Sequence, residues 1–325
     1  MELPGLEERS TSGVNVVTIG ATKEEGGTRD KVIKVGGAHT LPFLDFEGEV
    51  GHKPVVAMDV LDMVPEDWPE ALAAAHRDVW DDPGKWAKKC VQEYGADLIC
   101  VKLDGTHPDK ADKSPEEAVD AVTKVKEAVA VPLIVWCSGD DEKDNKVMPK
   151  VSQALAGENC LLGAASEDNY KTITAVCIAD NHNLIALSPL DINIAKQVNI
   201  LVTDMDFPLE RIVMFPTTGA LGYGLEYAYS IQERSRLAAL AGDKMMQPPI
   251  ICDAGYESWR AKEAKTPDAD APGWGPQADR GAMWETITAV TLLQAGADIL
   301  RMRHPRAVQE AKKVIDELFT PSQNP

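Results

Sequence analysis

Eight short apolar runs recur along this chain at intervals of about 25 to 50 residues, alternating with segments of helical periodicity. The runs are Pro54 to Val60, Asp97 to Leu103, Pro132 to Ser138, Cys160 to Ser166, Leu184 to Ser188, Ile212 to Pro216, Pro249 to Ala254 and Asp298 to Met302. Near-continuous apolar strands that alternate with helices form parallel sheets covered on both faces. Two arrangements satisfy that pattern, an open doubly wound sheet and a closed barrel. No G-x-G-x-x-G follows the first run, and the helix-to-strand returns are short, which predicts a (β/α)8 TIM barrel over residues 54–325.

The helices carry start and stop signals. Ser114-Pro115-Glu116-Glu117 sets a capping hydroxyl, a first-turn proline and a capping-box carboxylate in order, and Ala118, Val122, Val125 and Val129 follow as one apolar stripe. The returns Tyr94-Gly95-Ala96-Asp97-Leu98 and Ala295-Gly296-Ala297-Asp298-Ile299 are nearly identical, each with a glycine suited to a left-handed C-cap. Residues 1–53 differ. Val14 to Ile19 and Lys31 to Val35 read as two strands joined through the turn-forming Glu25-Gly26-Gly27-Thr28, predicting an N-terminal β-hairpin extension that caps the barrel.

Composition narrows the function classes. Asp and Glu outnumber Lys and Arg by 52 to 33, and the net charge of -19 repels nucleic-acid backbones and anionic membrane surfaces. With no apolar run of membrane-spanning length and an acidic start at Met1-Glu2-Leu3-Pro4, the chain is expected to be cytoplasmic. The six cysteines are scattered: Cys90 and Cys177 lie in helical patterns, and Cys100, Cys137, Cys160 and Cys252 in strand-like runs. None forms a C-x-x-C pair, so the expectation is buried thiols without zinc or an iron–sulfur cluster on this chain.

In a barrel, everything that follows a strand lies on one face. The two longest irregular segments, 61 to 81 and 255 to 280, both follow strands and together carry Trp68, Trp80, Trp259 and Trp274. Those indoles either meet a partner protein or a flat ligand, or pack back on the barrel. Polar strand-end residues supply the chemistry: Asp59, Lys102, Asp104, His107, Ser138, Ser166, Ser188, Asp191, Thr217, Thr218, Asp253, Arg301, Arg303 and His304. Lys102 is either a Schiff-base nucleophile or the partner of Asp104 or another strand-end carboxylate. Gly219, Gly222 and Tyr223 lie in a glycine-rich stretch after the sixth run that forms either a structural turn or a close backbone cradle for a ligand.

Several stretches together resemble one family. They are Gly219-Ala220-Leu221-Gly222-Tyr223-Gly224-Leu225-Glu226-Tyr227 with Glu233-Arg234-Ser235-Arg236, Ser188-Pro189-Leu190-Asp191-Ile192-Asn193, Gly255-Tyr256-Glu257-Ser258-Trp259-Arg260-Ala261-Lys262-Glu263-Ala264, and Leu300-Arg301-Met302-Arg303-His304-Pro305. Gly20-Ala21-Thr22-Lys23, Gly26-Gly27-Thr28-Arg29 and Phe46-Glu47-Gly48-Glu49 extend the match over almost the whole chain, which resembles the small subunit of the corrinoid iron–sulfur protein. The resemblance implies a barrel subunit of the acetyl-CoA (Wood–Ljungdahl) pathway. Its heterodimer carries a methyl group from methyltetrahydrofolate methyltransferase to acetyl-CoA synthase. The corrinoid (cobalamin) is shared with the large subunit, and the iron–sulfur cluster lies on that partner. This chain lacks a D-x-H-x-x-G cobalamin motif, since Asp180-Asn181-His182-Asn183-Leu184-Ile185 ends in isoleucine. The expected corrinoid-binding set is Asp59, Asp104, Ser138, Ser166, Ser188, Thr217, Thr218, Gly219, Gly222, Tyr223, Asp253 and Arg303, with no catalytic residue and no metal ligand. The competing readings are a stand-alone pterin-dependent methyltransferase, a Schiff-base aldolase, and a purely structural partner.

Overall fold

Strands β1 (Val16–Ile19) and β2 (Ile33–Gly36) pair antiparallel as a hairpin, and eight more strands form a parallel sheet: β3 (Val55–Leu61), β4 (Leu98–Lys102), β5 (Leu133–Trp136), β6 (Leu161–Ala165), β7 (Asn183–Leu187), β8 (Ile212–Phe215), β9 (Ile251–Cys252) and β10 (Ile299–Met302). This computed structural model describes residues 8–319. The sheet order β8-β7-β6-β5-β4-β3-β10-β9 closes through one bridge between Met214 and Ile250, where the Met214 N–H donates to the Pro249 carbonyl at 2.8 Å. The architecture is a TIM barrel with an N-terminal hairpin. Its thinnest seam lies between β8 and β9.

The period-two geometry of a strand sorts the core into two sets. Ala57, Leu98, Cys100, Ile134, Leu161, Ile185, Val213, Ile251 and Ile299 fill the barrel, whereas Val56, Met58, Val60, Ile99, Val101, Val135 and Leu162 join the apolar faces of the helices. The interior set continues into Val17, Ile19, Ile33 and Val35, so the hairpin plugs one end of the barrel. That end is the N-terminal one. Asn159 and Asn183, at the starts of β6 and β7, each donate from Nδ2 to the Thr18 carbonyl at 2.9 Å.

The link between β1 and β2 is more elaborate than the glycine turn expected. Lys23–Glu25 form one helical turn closed by a capping box between Thr22 and Glu25, and Arg29 is buried against Glu158 at 2.9 Å. Elsewhere the local signals hold. Ser114 makes its capping box with Glu117, and Gly95 and Gly296 adopt φ of +76° and +103°. The segments read as irregular carry short helices, Glu70–Ala73 in the first and Ala254–Ser258 and Lys262–Lys265 in the second. All six cysteines are buried and unbonded, and burial pushes the Cys160 thiol up to about 12. No helix among the described residues is long and apolar enough to cross a membrane.

Candidate functional site

The C-terminal layer of the barrel interior holds ions where the layers below hold hydrocarbon. Arg301 follows Ile299 on the inward face of β10 and is 1% exposed. Its Nη2 donates to Asp59 Oδ2 at 3.0 Å and its Nη1 to Asp253 Oδ2 at 2.7 Å, while the guanidinium lies 4.4 Å from the centroid of the Trp136 ring. Arg303 adds a bond from Nε to Asp59 Oδ2 at 2.8 Å. Two buried arginines thus share two buried aspartates, the compensation that buried charge requires. Burial opposes ionisation of Asp59, but Arg301 and Arg303 outweigh it and hold that carboxyl below its usual range. For Asp253 burial wins over Arg301, and the carboxyl is pushed up.

Above this layer opens a cavity of about 350 Å³ lined by Lys102, Asp104, His107, Lys110, Trp136, Ser138, Phe215, Thr217, Thr218, Asp253, Tyr256, Glu257 and Arg301. Of the predicted set, Asp104, Ser138, Thr217, Thr218 and Asp253 meet here, and Asp59 and Arg303 support it from the ion network. Lys102 Nζ donates to the Cys137 and Ser138 carbonyls and lies 3.5 Å from Asp104 Oδ1, so its ammonium is held by three acceptors. Burial opposes the charge of Asp104, yet Lys102 and Lys110 outweigh it and lower its pKa.

The remaining predicted residues lie outside the cavity lining. Ser166 accepts from the N–H groups of Asp168 and Asn169, and Ser188 is buried with an Oγ that has no partner among the described residues. A Cβ at Gly219 would sit 2.4 Å from the Gly224 carbonyl oxygen, so this glycine serves the turn's own closure. Gly222 has φ of +75° and faces open space. Tyr223 is half exposed, and its hydroxyl accepts from Lys262 N at 3.2 Å, tying the turn to the post-β9 segment. Thr217 has φ of +56°, a conformation that costs a β-branched residue energy, and its Oγ1 accepts from Leu190 N at 2.9 Å.

Sequence reasoning missed the aromatic floor and the buried braces. Trp136 and Phe215 meet edge to face at 4.8 Å, both on inward positions that strand alternation from Ile134 and Val213 would have revealed. Glu285 is fully buried on the Gln277–Gln294 helix, accepts from Arg303 N at 2.6 Å and His304 N at 3.0 Å, and receives the Trp259 indole N–H. His76 Nε2 donates to the Arg303 carbonyl at 3.0 Å, and Arg303 itself lies against Trp68 and Tyr256 at 5.2 and 5.1 Å from the ring centroids. Both long segments are therefore fastened to the end of β10. Of their four indoles, Trp259 is 2% exposed and Trp68 and Trp80 are half-buried, whereas Trp274 is 45% exposed. His304 caps the last helix, its ring nitrogen accepting from Arg306 N at 3.2 Å.

Residues 16–267 match the model of the CO dehydrogenase/acetyl-CoA synthase delta subunit family. The delta subunit of the acetyl-CoA decarbonylase/synthase complex of Archaeoglobus fulgidus is 38% identical over 96% of this chain and 70% of its own length. Its counterpart in Methanocaldococcus jannaschii is 35% identical over 96% of this chain and 76% of its own. Among solved structures, a dihydropteroate synthase of Xanthomonas albilineans superposes with a TM-score of 0.54 at 15% identity, covering 83% of this chain and 95% of that one. The enzyme of Coxiella burnetii gives 0.54 at 15%, covering 85% and 97%. At that identity the likeness is one of fold. The sequence relatives carry more: this chain belongs to the CO dehydrogenase/acetyl-CoA synthase delta subunit family.

Proposed function

We propose that this chain is the small subunit of a heterodimeric corrinoid iron–sulfur methyl carrier, covering the corrinoid with the C-terminal mouth of its barrel. The observation that carries this reading is charge compensation at the mouth. Asp59, Asp253, Arg301 and Arg303 neutralise one another, and Lys102 and Lys110 hold Asp104. A general base needs an available lone pair at a matched pKa, and a Schiff-base lysine needs a neutral amine. Asp59 is clamped ionised between two guanidiniums, and Lys102 is clamped by three acceptors. Such a mouth can seat and shield a cofactor without performing acid–base chemistry.

The residues present fit a corrinoid. When bound, its cobalt supplies the atom on which the methyl group travels. The 350 Å³ cavity is smaller than the macrocycle, so this chain offers a rim and a shallow recess and no enclosing pocket. The hydroxyls of Ser138, Thr217 and Thr218 line the recess, and Ser166, Ser188, Gly219, Gly222 and Tyr223 lie on the post-strand segments around it. Neutral hydroxyls and backbone groups of this kind hold carboxamides. Trp136 and Phe215 form a floor that excludes water, and the two long segments, fastened at Arg303, give the larger corrinoid- and cluster-bearing subunit a rigid surface. Methyltetrahydrofolate methyltransferase and acetyl-CoA synthase are the donor and acceptor partners in this reading.

Co-expression with the larger subunit, followed by purification through a tag on one chain and a visible spectrum, tests it. A one-to-one complex is expected whose corrinoid spectrum changes when this chain is removed. Lys102→Ala should leave assembly intact and methyl transfer within about twofold of the parent. An unchanged spectrum without this chain, or a Lys102→Ala complex that assembles but transfers no methyl group, would refute the assignment.

A further inference from the structure

We infer that the mouth cavity is a recognition site for an amide edge, a carbonyl oxygen beside an N–H donor, and that the indole N–H of Trp136 is its central donor. The inference rests on the corrinoid-capping reading and specifies which chemical group enters the recess. Trp136 lines the cavity with its ring held between Phe215 at 4.8 Å and the Arg301 guanidinium at 4.4 Å. Its N–H has no acceptor among the described residues and is not one of the fully buried unpartnered groups. Trp259 and Trp86, the other deeply buried indoles, donate to Glu285 and His76. A cation against the ring draws electron density from the indole and strengthens its N–H as a donor.

The rest of the lining supplies the complement. Thr218 Oγ1 accepts from Asp253 N at 2.9 Å, which leaves its own proton to donate. Asp253 spends one lone pair of Oδ1 on Tyr256 N and one of Oδ2 on Arg301, and an ionised carboxylate offers about four acceptor sites. Donors and acceptors thus face one recess too small for a corrin ring and roomy enough for a side arm or a single flat heterocycle. The four cations Lys102, Lys110, Arg301 and Arg303 are balanced by the four carboxylates Asp59, Asp104, Asp253 and Glu257, which disfavours a free carboxylate or phosphate and favours a neutral group that both gives and takes hydrogen bonds.

Two sources carry that chemistry, the primary carboxamide arms of a corrinoid and the amide edge of a pterin. The test titrates the full chain with a corrinoid bearing intact carboxamides, with the same corrinoid hydrolysed to carboxylates, and with a tetrahydropterin, each against the parent protein and Trp136→Phe. Tryptophan fluorescence reports binding, and circular dichroism and Tm report folding. Loss of one uncharged hydrogen bond is expected to weaken the carboxamide corrinoid about 3- to 10-fold in Trp136→Phe. The hydrolysed corrinoid is expected to bind the parent at least as weakly. Weakening of the pterin instead assigns the same site to the methyl donor. If Trp136→Phe folds normally and binds all three ligands as the parent does, or if the parent does not distinguish carboxamide from carboxylate and binds no pterin, the inference fails. The capping reading fails separately, by the absence of a spectral change on removing this chain from the heterodimer.

Discussion

Glu285 fastens the post-β9 segment to the end of β10, through Trp259 on one side and Arg303 and His304 on the other, and it is buried in a form that costs stability. Burial pushes its carboxyl from the ordinary 4.5 up to about 7, against the N–H groups of Arg303, Trp259 and His304 that favour the anion. Between those two values the folded protein retains a proton that the unfolded chain releases. Stability from this residue therefore falls as pH rises through the window from 4.5 to 7, by up to about 3 kcal/mol. Burial lowers His76 and His304 to about 4, and these contribute with the opposite sign. His76 does not touch Glu285, and its effect cancels in the difference between the parent and Glu285→Gln; His304 donates its backbone N–H to Glu285, so its share is removed by making both proteins in a His304→Asn background. Denaturant melts of both across pH 4.5 to 8 should show the parent losing ground to the variant as pH rises; a flat difference would show that Glu285 holds no proton over that range. Nothing in the sequence pattern marks this residue, because a lone glutamate within a helical pattern reads as a solvated position. The strand-end residues were legible for the opposite reason, since alternation fixes which of them leave the barrel interior.

At the level of elements, the alternation of apolar runs and helical stripes carried the barrel, because period 2 and period 3.6 leave separate marks on a sequence. The helices inside the long segments left no such mark. Glu70–Ala73, Ala254–Ser258 and Lys262–Lys265 are too short for a repeat of the helical period, and contacts made far along the chain hold them. One of those contacts can be tested on the Gln277–Gln294 helix. A Cβ at Gly281 would sit 2.4 Å from Cη2 and 2.5 Å from Cζ3 of Trp259, an indole that is buried and held by Glu285. Alanine gains about 1 kcal/mol over glycine inside a helix, whereas overpacking a rigid core costs about 1–3 kcal/mol. The clash should win. Gly281→Ala is expected to lower Tm by a few degrees, while Gly273→Ala, which has open space and no left-handed backbone, should leave it unchanged. A stabilised Gly281→Ala protein would mean that the indole moves aside and that the post-β9 segment is looser than its contacts suggest.

Across the whole molecule, a mouth with compensated charge and a rim fastened to one strand end suits a subunit that works by contact. The four indoles of the rim segments cannot all serve that contact. Trp259 belongs to the core with Leu72 and Ala264, and truncating it should cost about 3–5 kcal/mol of stability whatever the partner does. Trp274 stands at the other extreme: Lys262 and Arg280 lie 5.8 and 5.6 Å from its ring centroid, yet the residue is 45% exposed, surface that another protein can bury. An interfacial tryptophan commonly carries more than 1–2 kcal/mol of binding energy, about a tenfold change in Kd. Trp274→Ala should therefore weaken association with the larger subunit about tenfold while Tm of the isolated chain stays within a degree of the parent. Trp259→Ala should lower Tm sharply. Sedimentation equilibrium of the two variants with the larger subunit, run beside thermal melts, separates docking from folding. A Trp274→Ala chain that associates as tightly as the parent would place the docking surface away from the post-β9 segment.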